Sequence, residues 1–250
     1  MINTTTVDST VSDAASGLIL RPAAQRGMAD HGWLKSAHTF SFARYYDADH
    51  VQFNNLRVIN DDEVAAGRGF GAHSHQDAEI FSYVLEGALE HKDSMGNGST
   101  VTAGGVQYMS AGTGVQHSEF NPSQTERVRF LQVWLQPNIS GEPPHYATKQ
   151  LTDSDKDGQL HLFLSADGRD GSMRIKANAD IYAATLHAEQ QINFGVRNNR
   201  HCWIQVARGT LIVNGQPLAQ GDGLAITTSG HVMLRDGEHA EILLFDLEAT

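Results

Sequence analysis

Gly67-Arg68-Gly69-Phe70-Gly71-Ala72-His73-Ser74-His75-Gln76-Asp77-Ala78-Glu79 is the stretch on which the fold of this 250-residue chain turns. On an extended backbone, residues i and i+2 point to the same face, so His73 and His75 can offer both imidazoles to one ion. If the strand kept its register, Glu79 would share that face. A second stretch repeats the geometry: Gly112-Thr113-Gly114-Val115-Gln116-His117-Ser118-Glu119-Phe120-Asn121 carries His117 and Glu119 at i and i+2. A lone His-x-His is an ordinary surface pair. Two such pairs, each following a glycine-rich turn, can be aimed at one point by neighbouring strands of a barrel, giving three neutral imidazoles and a carboxylate.

The surroundings of both stretches read as strands. Short apolar runs close on Gly, Asn or Asp at Ala43 to Tyr46, Leu56 to Ile59 and Glu79 to Leu85, and on Pro137 at Val128 to Leu135. Turn signals every ~8–12 residues predict a sandwich or barrel, and no long amphipathic helix is evident. Residues 138–153, opening with Asn138-Ile139-Ser140-Gly141-Glu142-Pro143-Pro144, read as a linker. The same grammar then restarts at Ile181 to Leu186, Cys202 to Val206, Thr210 to Val213, Leu224 to Thr227 and Glu241 to Leu247, with Asn214-Gly215 as a hairpin turn. Two all-β halves of comparable size suggest an internal duplication. The expected organisation is a mobile tail over 1–17, a metal-binding barrel over 18–137, the linker, and a second barrel over 154–250.

Composition narrows the function. With 18 basic against 29 acidic residues, a formal charge of −11, direct binding to a nucleic-acid backbone is not expected. One cysteine excludes an intramolecular disulfide framework and a thiolate zinc knuckle. No apolar run approaches a membrane span. The first residues show neither a basic region nor an apolar one of the secretory type, so a cytoplasmic location is expected. Histidine is plentiful, at 13 residues. The second half has His187, His201, His231 and His239 but no His-x-His; His201 beside Cys202 reads as packing, and this half as a copy without a site.

These residues carry a family resemblance. Gly67, His73-Ser74-His75 and Glu79 resemble the first cupin motif. Gly112-Thr113-Gly114, His117 and Asn121 resemble the second, with Gly112 where proline is usual. His31-Gly32-Trp33-Leu34, His38-Thr39-Phe40-Ser41-Phe42, Arg57-Val58-Ile59-Asn60-Asp61-Asp62, Tyr83-Val84-Leu85-Glu86-Gly87 and Ser110-Ala111-Gly112 bring the chain closer still to the pirin-like bicupins. The resemblance implies two cupin, jelly-roll-like β-barrels with one metal ion in the first, iron being the usual one. In many cupins the fourth ligand is the glutamate of the first motif, here Glu79. In pirin-like proteins it is the glutamate two after the second-motif histidine, here Glu119, which also completes a same-face pair with His117. The expected ligands are therefore His73, His75, His117 and Glu119.

Four protein ligands leave positions open on an octahedral ion, as at catalytic metals. Nitrogen and oxygen donors without thiolate suit Fe(II), and also Mn, Ni, Cu, Zn or Co. The resemblance implies a quercetin 2,3-dioxygenase-like activity on a small aromatic, flavonol-like substrate; in such a reaction the ligand carboxylate, Glu119, is the expected base for the hydroxyl proton. A metal-dependent regulatory protein acting through a protein partner, without turnover, is the alternative.

Overall fold

The computed structural model describes residues 17–250; apart from Gly17, the expected tail lies outside the described residues. Among the described residues the regular structure is almost entirely strand, as the alternating short runs predict, and it forms three sheets. In the first half a seven-stranded antiparallel sheet runs in the order His145–Gln150, Gly105–Ser110, Glu79–Glu86, Val128–Leu135, Leu56–Val64, Leu34–His38, Gly27–Asp30. Against it stands a four-stranded sheet, Gly69–His75, Val115–Phe120, Ala88–Asp93, Gly98–Thr102. The second half is a single nine-stranded sheet built on two long strands, Arg200–Val213 and Gly230–Glu248. Register shifts between Val206 and Ile212 bend this pair, and the sheet encloses an apolar interior that includes Ile204, Leu224, Leu234 and Leu244.

The Glu79–Glu86 strand explains how the halves join. Seven of its eight residues are buried, because both of its faces are covered. Phe81, Tyr83 and Leu85 point to an apolar layer shared with Phe163, Ile181, Trp203 and Phe245 of the second half. Phe81 lies 5.6 Å from Phe163 and 6.3 Å from Phe245, ring centre to ring centre. With a side-chain period of two, Ile80, Ser82 and Val84 point the other way, into the first barrel. Each large side chain so buried contributes roughly 1.5–3 kcal/mol, and the shared layer makes the two halves one packed body.

Three expectations from sequence are corrected. The Leu18–Arg21 strand pairs with Gly223–Ile226 and so belongs to the second sheet, although its residues fall in the expected first barrel. The expected linker over 138–153 contains the His145–Gln150 strand, which pairs with Gly105–Ser110 and completes the first sheet. The first half thus lends a strand to the second, and the expected linker supplies one to the first. Ala43 to Tyr46 is a tight turn closed by a Phe42–Tyr45 bridge, with Ala43 at φ 51°, not a strand.

Gly112, the departure from the cupin pattern, sits at φ +47°. Proline is locked at negative φ and cannot adopt this conformation. A Cβ there would also collide with the carbonyl oxygen of Glu142.

Candidate metal centre

The Gly69–His75 and Val115–Phe120 strands run antiparallel as neighbours, and their register sets His117 directly opposite His73 and Val115 opposite His75. The approach is close: a Cβ on Gly69 would strike the Glu119 carbonyl oxygen, so only glycine fits. The result is that three histidines of the two motifs converge. The His73, His75 and His117 ring centres lie 4.5 to 4.9 Å apart, and a nitrogen from each lies within 4.8 Å of the others. His73 Nε2 and His117 Nε2 are 3.1 Å apart. His73 Nδ1 sits 2.8 Å from the Gly71 carbonyl oxygen; donating its proton there leaves the Nε2 lone pair facing inward.

His73 and His75 are half-buried and His117 is buried. Trp134 stands edge-on to His75 at 4.8 Å, and Phe42 edge-on to Trp134 at 5.6 Å, forming an aromatic wall beside the three histidines. Burial, reinforced by His73, pulls His75 down to about 4. Burial, with His73, His75 and His91 adding to it, pulls His117 down to about 3. Both side chains are therefore neutral at neutral pH, the form in which an imidazole can bind a metal ion.

A register shift between His117 and Glu119 accompanies the placement of Glu119 deeper in the barrel. Its carboxylate groups with His117 and His91, their ligand atoms again within 4.8 Å, rather than with His73 and His75. Ser82 Oγ donates to its Oε1 at 3.1 Å and Gln132 Nε2 to its Oε2 at 2.8 Å; Gln107 Nε2 also donates to Oε1. Burial raises its pKa, opposed by the nearby His91 and these donors. The structure thus joins three of the expected residues at the rim and links Glu119 to them through His117.

Glu79 does not share the histidine face. The chain turns between the two sheets at Gln76 to Ala78, with Asp77 at φ 48°, and Glu79 begins the next strand in the other sheet. Its carboxylate accepts hydrogen bonds from Tyr108 Oη, from Ser110 Oγ at 2.7 Å and from the Lys176 backbone N–H at 3.0 Å. It fastens the second half to the first. Arg57 donates to the carbonyls of Ser41 and Val51 at 2.7 and 2.8 Å. Phe40 packs on Trp203 at 5.0 Å.

Sequence reasoning passed over Ser82, Gln107, Gln132 and His91. The first three sit side by side on adjacent strands, Ser82 opposite both glutamines. Their signal is a single polar residue inside an apolar run: Phe81-Ser82-Tyr83, Val106-Gln107-Tyr108 and Leu131-Gln132-Val133. Such a residue, buried, must have a partner; here the partner is Glu119. Among the described residues, both groups of three or more candidate ligands lie in the first barrel. In the second, His201 Nδ1 contacts the Asn54 side chain at 3.2 Å, and Cys202 is fully buried.

The sequence profile of the pirin family matches residues 20–135, and that of the quercetinase C-terminal cupin domain matches residues 162–247. A quercetin 2,3-dioxygenase of Escherichia coli K12 is 46% identical over 92% of this chain and 98% of its own length. A pirin-like protein of Caulobacter vibrioides is 37% identical over 90% of this chain and 97% of its own. The crystal structure of the bacterial pirin YhhW from Escherichia coli in complex with nickel(II) superposes with a TM-score of 0.89, at 45% identity, covering 93% of this chain and all of that one. With two cupin domains, matched profiles in both halves and this likeness along nearly its full length, the chain belongs to the pirin family of bicupins.

Proposed function

We propose that the chain is a metal-dependent dioxygenase of the quercetin 2,3-dioxygenase type, binding one divalent transition-metal ion through His73, His75, His117 and Glu119. The observation that carries this is the convergence of three imidazoles on one side of the first barrel, with a buried carboxylate behind them. The donors fit such an ion: neutral nitrogens and a carboxylate, without thiolate, suit borderline first-row metals. Fe(II) is the ion we assign. The nickel(II) in the structure of the similar pirin supports a divalent first-row ion, and the activity in the name of the 46% identical relative supports a flavonol-like substrate.

When bound, the ion would supply Lewis acidity, lowering the pKa of a hydroxyl beside a carbonyl. The rest falls to the chain's own residues. His73 and His75 lie half-exposed, so the open side of the site faces solvent. Trp134 and Phe42 offer that side an aromatic wall. Glu119, whose pKa burial raises, accepts the substrate's hydroxyl proton, while Ser82, Gln107 and Gln132 hold its carboxylate in place. A carboxylate whose basicity burial raises is suited to general-base work.

Oxygen uptake with quercetin, expressed per bound metal ion, tests the proposal. Glu119→Gln keeps the size and an oxygen donor but loses the base, and its turnover per metal should fall by ~10²–10⁴-fold. His201→Ala, in the second barrel, should match wild type. Equal rates per metal for wild type and Glu119→Gln would remove Glu119 as the base. No rate above free metal in any sample would favour a metal-dependent regulatory protein instead.

A further inference from the structure

Behind His117 lies a chain of groups that the ligand set does not use. His117 turns Nε2 toward His73 Nε2, at 3.1 Å, and Nδ1 toward His91 Nδ1, at 3.4 Å. His91 turns its other nitrogen, Nε2, toward Asp93 Oδ2 at 3.0 Å. The His91 and Asp93 side chains are almost completely buried, at 1% and 0% exposure, so solvent does not compete for these contacts. Asp93 is itself fixed. Its Oδ1 accepts from the backbone N–H groups of Met95 and Asn97 at 2.9 and 3.0 Å, and its Oδ2 from the Asn97 side chain at 2.9 Å. The His91 ring lies flat on Tyr146, centres 4.2 Å apart at 11°. Tyr146 belongs to the His145–Gln150 strand that completes the first sheet.

We propose that His91 and Asp93 are positioning residues that set the tautomer of His117, in the order Asp93 carboxylate, His91, His117, metal ion. This rests on the reading that His117 is a ligand through Nε2. A neutral imidazole carries one N–H. If Nε2 presents its lone pair to the ion, the proton is on Nδ1 and needs a buried acceptor. His91 Nδ1 is that acceptor only when the His91 proton is on Nε2, and the Asp93 carboxylate holds it there. The arrangement lengthens by one histidine the carboxylate–histidine–metal relay that orients ligands and raises their basicity at metal sites. Tyr146 keeps the His91 ring in plane, so the His145–Gln150 strand sets the inner wall of the centre.

The test uses the whole chain and measures binding of zinc(II) by competition with a chromophoric chelator. His91→Phe keeps a flat ring on Tyr146 but removes the acceptor; His91→Gln keeps both an acceptor and a donor. His91→Phe should weaken binding by ~10–100-fold, the range for loss of such outer partners, with His91→Gln recovering most of it. In ¹⁵N-histidine spectra of the zinc-loaded wild type, His117 should carry its proton on Nδ1 and His91 on Nε2. Asp93→Asn should disturb the His91 tautomer. Wild-type affinity in a folded His91→Phe variant would overturn the proposal, as would zinc binding directly at His91 Nδ1. Undiminished binding in His117→Ala would instead overturn the underlying ligand assignment, so the two failures are distinguishable.

Discussion

His75 and His117 remain neutral in the folded protein until about pH 4 and about pH 3, chiefly because burial disfavours their charged forms. In the unfolded chain both titrate near ~6.5. Below that pH the unfolded state binds more protons, so these residues lower the stability of the metal-free protein as the pH falls toward about 4. Asp62 has the opposite sign. Burial, with the charges of Asp61 and Glu119 adding to it and a Ser36 hydrogen bond opposing it, raises its carboxyl to about 7. Folded Asp62 keeps its proton where unfolded Asp62 has lost it. Its contribution is therefore fully present below pH ~4 and is lost as the pH rises through about 7. Melting of metal-free protein in a chelator should show both effects. Asp62→Asn should gain on wild type more at about pH 8 than at about pH 5, and His75→Asn should flatten the fall on the acid side. Variant and wild-type curves that run parallel across this range would contradict these assignments.

At the scale of elements, the two site strands were legible because their side-chain period and their glycine-rich entries both appear in the sequence. Their register against each other, and the shift that sends Glu119 inward, depend on how the sheet closes, which no local pattern records. His145–Gln150 was hidden for another reason. It is an edge strand with mostly half-buried or exposed side chains, entered through Pro143-Pro144, so it lacks the apolar alternation that marks a covered strand. Leu18–Arg21, only four residues long, carries no local mark of its partner, Gly223–Ile226, about two hundred positions away. Glu79 looked like a face-mate of the histidines only while the backbone was assumed to run straight through Asp77. The close approach of the site strands gives an element-scale expectation. Gly69→Ala should force them apart, lowering metal affinity and costing stability, with typical overpacking penalties of ~1–3 kcal/mol. Gly71→Ala, where a Cβ would meet nothing within 4 Å, should behave as wild type. Chelator competition and melting on the two variants check this; equal behaviour would contradict the close packing.

Across the whole molecule, the Leu18–Arg21 strand and the common apolar layer couple the halves. Lys156 Nζ, buried between them, contacts Tyr83 Oη at 2.9 Å and Glu241 Oε1 at 2.7 Å. Phe245→Ala, in that layer, should cost about 3–5 kcal/mol and lower one calorimetric transition rather than split it. A variant in which the second half melts early and the first keeps its own transition would show separate domains. The duplication itself was readable from the restarted strand pattern, but the sharing was not, since it arises where two sheets meet. The central claim concerns the whole chain's single metal centre, and elemental analysis after metal loading and desalting tests it most directly. Wild type and Glu79→Gln should each hold one ion per chain, Glu119→Gln should hold less, and the His73→Ala/His117→Ala double variant none while remaining folded. A full equivalent of metal in the double variant, or loss in Glu79→Gln with full retention in Glu119→Gln, would contradict the account.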